Sequence, residues 1–457
     1  MRTTKTYARR ACRALALLLA VIAFDVVLTL VLEQYGTATE VTWYNYRNTP
    51  GESIDTLVVG SSFASFGVDP HSIDEEAGTS SFNLSTMAQT FPNSRDIVHS
   101  VQKDHQLKRI VICLGTESLQ RPAQYDREIT FLQAKSAGDS FDDVLQNVAT
   151  LALDESYFPT SKSIGWIFPW TYTSVGLEAD EIRTNIERRL SMPDPTDAML
   201  ASDSAWQYLG LGHCAYDKHL NLRSPDSNQL AIDSSAPFLE KTIQEFVDLL
   251  DTCTEIGISP MVIVAPRPDY ANVAHQTTEY AELMASLQAI AVEHGATYYD
   301  FNLAHPDFYR PLDSDFSDAQ HLNVDGSKRF SHAIGQLIAQ DEAGEDVGVL
   351  FYSYDDWDTY LASYPDIALC YCEYEVGSDS IAISASCIAQ KDVAIEYQFE
   401  VKHKGSKRFK VARAYASDSS YDLPIEGHGS VVIRVRARVV GSTTKDAMRS
   451  CKYWTAY

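Results

Sequence analysis

The stretch Ile54-Asp55-Thr56-Leu57-Val58-Val59-Gly60-Ser61-Ser62-Phe63 decides the fold class. Residues 54–59 are short, mostly apolar and β-branched, and they stop at a glycine. That is the pattern of a strand buried on both faces in a parallel sheet. Three later runs share it: 109–114 ending at Gly115, 260–265 ending at Pro266, and 296–301. Between them lie amphipathic stretches. Residues 238–256 place Leu239, Ile243, Phe246, Val247 and Leu250 on one stripe, and residues 280–294 repeat the pattern before Gly295, a helix C-cap residue. Strands alternating with helices predict a doubly wound α/β domain with a parallel sheet over residues 54–340. Residues 120–235 inside it carry an aromatic-rich patch (Trp166, Phe168, Trp170, Tyr172) and a helix-like 179–190. They form an insertion, serving either as a cap over a substrate or as extra packing.

Working outward toward the N-terminus, residues 34–53 show no periodicity and read as a stalk. Before them, Arg2, Lys5, Arg9, Arg10 and Arg13 precede an apolar run over 14–32 broken only by Asp25 and Thr29. A bilayer core takes about 20 apolar residues, so residues 1–33 predict a basic cytoplasmic tail and a transmembrane anchor. The main body then lies outside the cytoplasm, on a single-pass protein of the cell membrane. A cleaved signal peptide ending at Gly36-Thr37-Ala38 is the competing reading, and the length of the run favours the anchor. Asp25 either faces a partner helix or is a tolerated single acid.

Toward the C-terminus the pattern changes after residue 341. Runs at 381–385, 394–403, 407–415 and 431–440 alternate or carry β-branched residues, separated by Gly-containing turns. They predict a linker and a small all-β, sandwich-like domain over 341–457. Arg434, Arg436 and Arg438 alternate with apolar residues, making one strand face basic, either a solvated face or a grip for anionic polymer or lipid headgroups.

The chain has 457 residues, a net charge of −25 and 45% hydrophobic residues, which predicts several packed domains and argues against nucleic-acid binding. Its eight cysteines show no CxxC pair, and His213, Cys214 and His219 lack any further ligand pattern, so neither a metal site nor a cofactor is expected. Cys370 and Cys372, two apart, would share one face of a strand.

Two segments carry chemistry. Ser62 follows the first strand, where open parallel sheets bind ligands and a helix N-terminus favours developing negative charge. Near the end of the domain stands Phe316-Ser317-Asp318-Ala319-Gln320-His321-Leu322-Asn323, after the last strand and before a helical 324–338. Asp and His at this spacing let the carboxylate orient the imidazole and stabilise its protonated form.

Gly60-Ser61-Ser62, the strands between, and Asp318-x-x-His321 with its surroundings (Tyr299-Asp300-Phe301-Asn302 and Leu322-Asn323-Val324-Asp325-Gly326) resemble the SGNH (GDSL-type) hydrolase superfamily. The chain is similar, over residues 54–340, to its membrane-anchored branch, which includes the teichoic-acid D-alanylation and alginate O-acetylation proteins. The resemblance implies a serine esterase or O-acyltransferase acting on a cell-envelope polysaccharide, a teichoic-type polymer or a lipid-linked precursor, with a membrane acyl exporter as partner. It implies Ser62 as nucleophile, His321 as general base and Asp318 as its orienting acid. The oxyanion donors would be the Ser62 and Ser85 amides, with Asn83. Where the family keeps an asparagine in its third block, this chain has Gly115-Thr116-Glu117-Ser118. An ionised Glu117 donates no hydrogen bond. Asn83, Gln89 or the Thr116 amide must then replace the donor, or Glu117 is protonated, or the domain is an inactive envelope protein that positions polymer for a partner.

Overall fold

A computed structural model describes the chain except for residues 1, 52, 121–126, 155–167, 172–174, 203–205, 226–235, 276–277 and 445–446. Trp166 and Tyr172 of the aromatic patch lie outside the described residues.

The first helix, α1 (Arg2–Leu32), holds a stretch from Arg10 to Leu32 long and apolar enough to cross a membrane. Residues 34–53 are not the stalk their lack of periodicity suggested. They contain α2 (Ala38–Arg47), capped by the Thr37 side chain, and its Trp43 and Tyr46 are buried in the main core. A short helix with apolar residues on one side is hard to tell from a linker when its stripe holds only three or four residues.

Then come β1 (Thr56–Gly60), α3 (Ser62–Gly67), α4 (Pro70–Ala77), β2 (Ser81–Asn83), α5 (Phe91–Asp104) and β3 (Arg109–Leu114). The region of the insertion holds α6 (Glu117–Gln120), α7 (Arg127–Ser136), α8 (Phe141–Leu153), α9 (Ala179–Ser191), α10 (Pro195–Leu200) and a hairpin of β4 (Trp206–Gly210) and β5 (His213–Tyr216). The domain closes with α11 (Glu240–Glu255), β6 (Pro260–Val264), α12 (Asp269–Ala274), α13 (Thr278–Glu293), β7 (Thr297–Asp300) and α14 (Val324–Glu342).

Five strands form one parallel sheet in the order β2-β1-β3-β6-β7. Every residue of β1 and β6 is buried, so helices cover both faces, as the unbroken apolar runs predicted. The helices pack in pairs, α4 against α14 and α5 against α11. Gly295 ends α13 at φ +80°, the left-handed cap expected of it.

After α15 (Trp357–Leu361) come β8 (Ile367–Val376), β9 (Ser380–Ala389), β10 (Ile395–His403), β11 (Lys410–Ala416), β12 (Ser420–Pro424), β13 (Ser430–Val439) and β14 (Met448–Ala456). They make two antiparallel sheets, β11-β10-β13-β14 and β12-β9-β8, closed on one core that includes Phe399, Ile433 and Val435. The arginines of β13 are not a free basic face. Arg434 and Arg436 both bond Glu400, Arg438 bonds Glu396 at 2.7 Å, and Arg434 and Arg438 lie over the rings of Phe409 and Tyr415. Their charge is met within the sheet.

Candidate active site

The site is built at the C-terminal edge of β1, where the chain must turn at once into α3. A Cβ at Gly60 would stand 2.4 Å from the Cys113 carbonyl oxygen, so only glycine lets β1 and β3 stay paired through that turn. Ser61 precedes the helix and Ser62 is its first residue. The Ser62 and Phe63 amides therefore sit in the first turn, where helical N–H groups have no intrahelical acceptor. The Phe63 ring lies directly over Gly115, whose Cβ would fall 2.2 Å from it.

His321 reaches this turn from a tight loop before α14. Ser317 N–H donates to the His321 carbonyl at 2.8 Å, Phe316 bridges Leu322, and Asn323 caps α14 by accepting from the Gly326 amide at 3.0 Å. The loop brings three predicted residues into one array. His321 Nε2 is 2.9 Å from Ser62 Oγ, and His321 Nδ1 is 2.9 Å from Asp318 Oδ2. With Nδ1–H donating to the carboxylate, Nε2 is left to accept the serine proton. Asp318 also accepts from the amides of Gln320 and His321, at 2.8 and 2.9 Å. Burial acts to raise the Asp318 pKa, and the bonds from His321 and these amides outweigh it, holding the carboxyl below its ordinary value. The imidazole packs against Phe63 and Phe66, ring centroids 5.6 and 5.1 Å away.

The expected oxyanion donors fare differently. Asn83 is fully buried, but its Nδ2 donates to the carbonyls of Ala64 and Val68 at 2.8 and 2.9 Å. Its Oδ1 accepts the Ser85 amide at 3.1 Å. Asn83 thus ties the loop after β2 to α3, and neither its side chain nor the Ser85 N–H is left for an oxyanion. Gln89 is a correction too: its amide is spent on the Thr86 amide, Gln133 and Ser94, inside the domain. The Ser85 hydroxyl is buried without a partner. Ser85 stands two residues past Asn83, which register pairs with Val58 of β1. Sequence reasoning assigned only the Ser85 backbone, because a hydroxyl's freedom depends on partners that spacing does not reveal.

Glu117 opens α6 and accepts a hydrogen bond from the Gln320 side chain, between Asp318 and His321. It stands beside the array as an acceptor, where the expected donor would have stood. A cleft of about 910 Å³ borders the same elements, lined by Tyr35, Trp43, Ser65, Phe66, Met87 and Met199 among others. Ser65 and Phe66 belong to α3, one turn beyond Ser62.

His213, buried on β5, lies behind Phe66: its Nε2 is 3.2 Å from the Phe66 carbonyl and its Nδ1 3.6 Å from Asp69. Burial would raise the Asp69 pKa, but His213 and Ser72 bring it down to about 2. Cys214 is buried beside it, and His219 lies near the Ser314 carbonyl and Asn323. Among the described residues, no three His, Cys, Asp or Glu side chains gather in a metal-holding group.

No known family model and no curated protein matches the chain. Among solved structures, an endo-β-1,4-mannanase double mutant from Cellulomonas fimi aligns over 93% of this chain and 98% of its own, at 12% identity and a TM-score of 0.15. A nucleoside hydrolase-related hypothetical protein from Saccharophagus degradans aligns over 88% and 99%, at 11% identity and a TM-score of 0.15. Likenesses this slight describe no common fold.

Proposed function

We propose that the chain is a membrane-anchored serine esterase or O-acyltransferase of the SGNH type, acting outside the cytoplasm on O-acyl groups of a cell-envelope glycan, teichoic-type polymer or lipid-linked precursor. The observation that carries this reading is the Ser62–His321–Asp318 array, with both hydrogen-bond distances at 2.9 Å. His321 Nε2 takes the Ser62 proton as Oγ attacks an acyl carbonyl, and Asp318 stabilises the imidazolium. The Ser62 amide, in the first turn of α3, and the Ser85 hydroxyl supply donors for the tetrahedral oxygen. The imidazolium gives its proton to the departing alcohol oxygen as the ester bond breaks. His321 then deprotonates water or a sugar hydroxyl, which takes the acyl group, and returns that proton to Ser62 Oγ. The apolar α1 and the basic residues before it support the extracytoplasmic placement. The resemblance to the anchored branch supports an envelope substrate and a membrane acyl exporter as partner.

Glu117 favours a second reading, a non-catalytic domain that positions polymer, because a carboxylate beside the site opposes an oxyanion. Fluorophosphonate labelling of the full chain in detergent separates the two. Labelling that Ser62→Ala abolishes establishes the serine chemistry. A folded wild-type protein that takes no label establishes the scaffold.

A further inference from the structure

Four of the eight cysteines, Cys370, Cys372, Cys387 and Cys451, fall in the C-terminal domain. Cys370 and Cys372 are separated by one residue on β8 and are both buried, so they share the inward face of their sheet. Cys387 stands opposite Cys370 across the β8–β9 ladder. Cys451 comes from β14 in the other sheet and is fully buried, and its Sγ lies 3.9 Å from Cys370 Sγ. All four are thiols in this structure. Two thiols in contact across the gap between sheets need only a small side-chain rotation to bond.

We propose that Cys451 is joined to Cys370 by a disulfide that staples the last strand of the chain to the first strand of its domain. Cys451 attacks first, before the two sheets close over it, when its thiolate can still reach an oxidant. Its thiolate opens a disulfide-bearing oxidant to give a mixed disulfide, and the Cys370 thiolate then displaces the oxidant's second sulfur. The two cysteines lose two protons and two electrons, and the oxidant leaves as two thiols. The bond forms as β14 pairs with β13, while Cys451 is still reachable. The oxidising compartment rests on the extracytoplasmic placement proposed above.

The staple bears on the site. Lys452 N–H, next to Cys451, donates to the Arg223 carbonyl at 2.7 Å, and Tyr453 OH donates to the Pro225 carbonyl at 2.9 Å. Ser224 Oγ donates to the Lys452 carbonyl. The segment they hold leads directly to Leu220, whose amide donates to the Phe316 carbonyl at 2.7 Å, and to His219, 3.0 Å from Asn323. A fixed β14 therefore straps residues 219–225 against the loop that carries Asp318 and His321.

The experiment uses the full chain, extracted from membranes into detergent with an alkylating agent present, digested without reductant and read by mass spectrometry. A peptide pair joined through Cys370 and Cys451 is expected, retained in Cys372→Ser and absent from Cys370→Ser. Reducing the wild type should lower the melting temperature of the C-terminal domain by roughly 10 °C, given the long loop the bond closes. It should also speed amide hydrogen exchange over 219–225. A Cys370–Cys387 bond with Cys451 alkylated overturns the assignment. So do four thiols that resist oxidised glutathione during refolding. A bond that forms only with added glutathione overturns the cellular placement and leaves the geometry standing. Unchanged exchange over 219–225 on reduction overturns the strap. None of these outcomes depends on Ser62 labelling.

Discussion

Replacing Asn83 with alanine separates the two roles available to it. The side chain makes three buried hydrogen bonds, two to the carbonyls of Ala64 in α3 and Val68 just past it, and one from the Ser85 amide. Truncation leaves the Val68 carbonyl and the Ser85 amide unsatisfied, at about 1–3 kcal/mol each, and removes one bond to the Ala64 carbonyl, which keeps the Val68 N–H, at about 1 kcal/mol. Taking the low end gives a loss of about 3 kcal/mol, since part of the space relaxes. In a domain of this size each kcal/mol moves the midpoint by about 2–4 °C, so the melting temperature should fall by roughly 6–12 °C. Thermal unfolding of the full chain measures that fall, and hydrogen exchange should show faster opening of the Ala64 to Val68 turn. At temperatures well below the new midpoint, Ser62 labelling should stay within about tenfold of wild type. An unchanged melting temperature with a loss of about 100-fold or more in labelling rate would refute this reasoning, because that is the signature of a lost oxyanion donor.

Asp318→Asn should keep the fold and slow Ser62 labelling by roughly 10³- to 10⁴-fold, since the amide cannot stabilise the imidazolium; comparison of labelling time courses checks it. Glu117→Gln removes a negative charge beside the site and should raise the labelling rate by about tenfold, and a fall would make the carboxylate a contributor rather than an opponent. Burial raises the carboxyl of Asp96, on α5, to about 7, against about 3.9 for an unfolded chain. Its contribution to stability is therefore present below about pH 4 and lost as pH rises through 7. Asp96→Asn should stabilise the protein by on the order of a few kcal/mol at pH 8 and by much less at pH 5, measured as melting temperature against pH.

Legibility followed the length of the pattern. The runs at 54–59, 109–114 and 260–265 were readable as strands because burial on both faces demands near-unbroken apolar sequence, while 296–301 was readable from its adjacent tyrosines although its edge strand alternates exposed and buried residues. β2 was not, since Ser81-Phe82-Asn83 pairs through only three residues and owes its place to β1. In the C-terminal domain β8, β12 and β14 were missed, β12 for its shortness and its closing proline. β8 and β14 mix cysteine, tyrosine and charged residues, and β14 alternates Lys452, Trp454 and Ala456 outward against Cys451 and Thr455 inward. At the site, Ser62, Asp318 and His321 were legible because their order and their elements are fixed by topology. The fates of Asn83 and Gln89 were not, because both are decided by which carbonyl or amide lies within 3 Å across the domain.

The insertion, the least readable region, proves to be where the parts of the molecule meet. Asn185 of α9 accepts the Tyr35 amide at 2.9 Å and donates to the Glu33 carbonyl at 2.8 Å, satisfying backbone groups where α1 ends. Trp170 Nε1–H donates to Asp25 at 2.9 Å, so the acid that interrupts the apolar helix has a partner from the same chain. The hairpin strand β5 sets His213 behind Phe66, and residues 219–225 bind both β14 and the loop before His321. Each contact joins segments more than ninety residues apart. Their residue types answer to distant neighbours, so no short-range period marks them. An insertion with little periodicity but with a buried Asn185 and His213 and a hydrogen-bonded Trp170 is thus better understood as connective structure than as a loose cap. On that understanding, shortening it would loosen α1, the site and the C-terminal domain together.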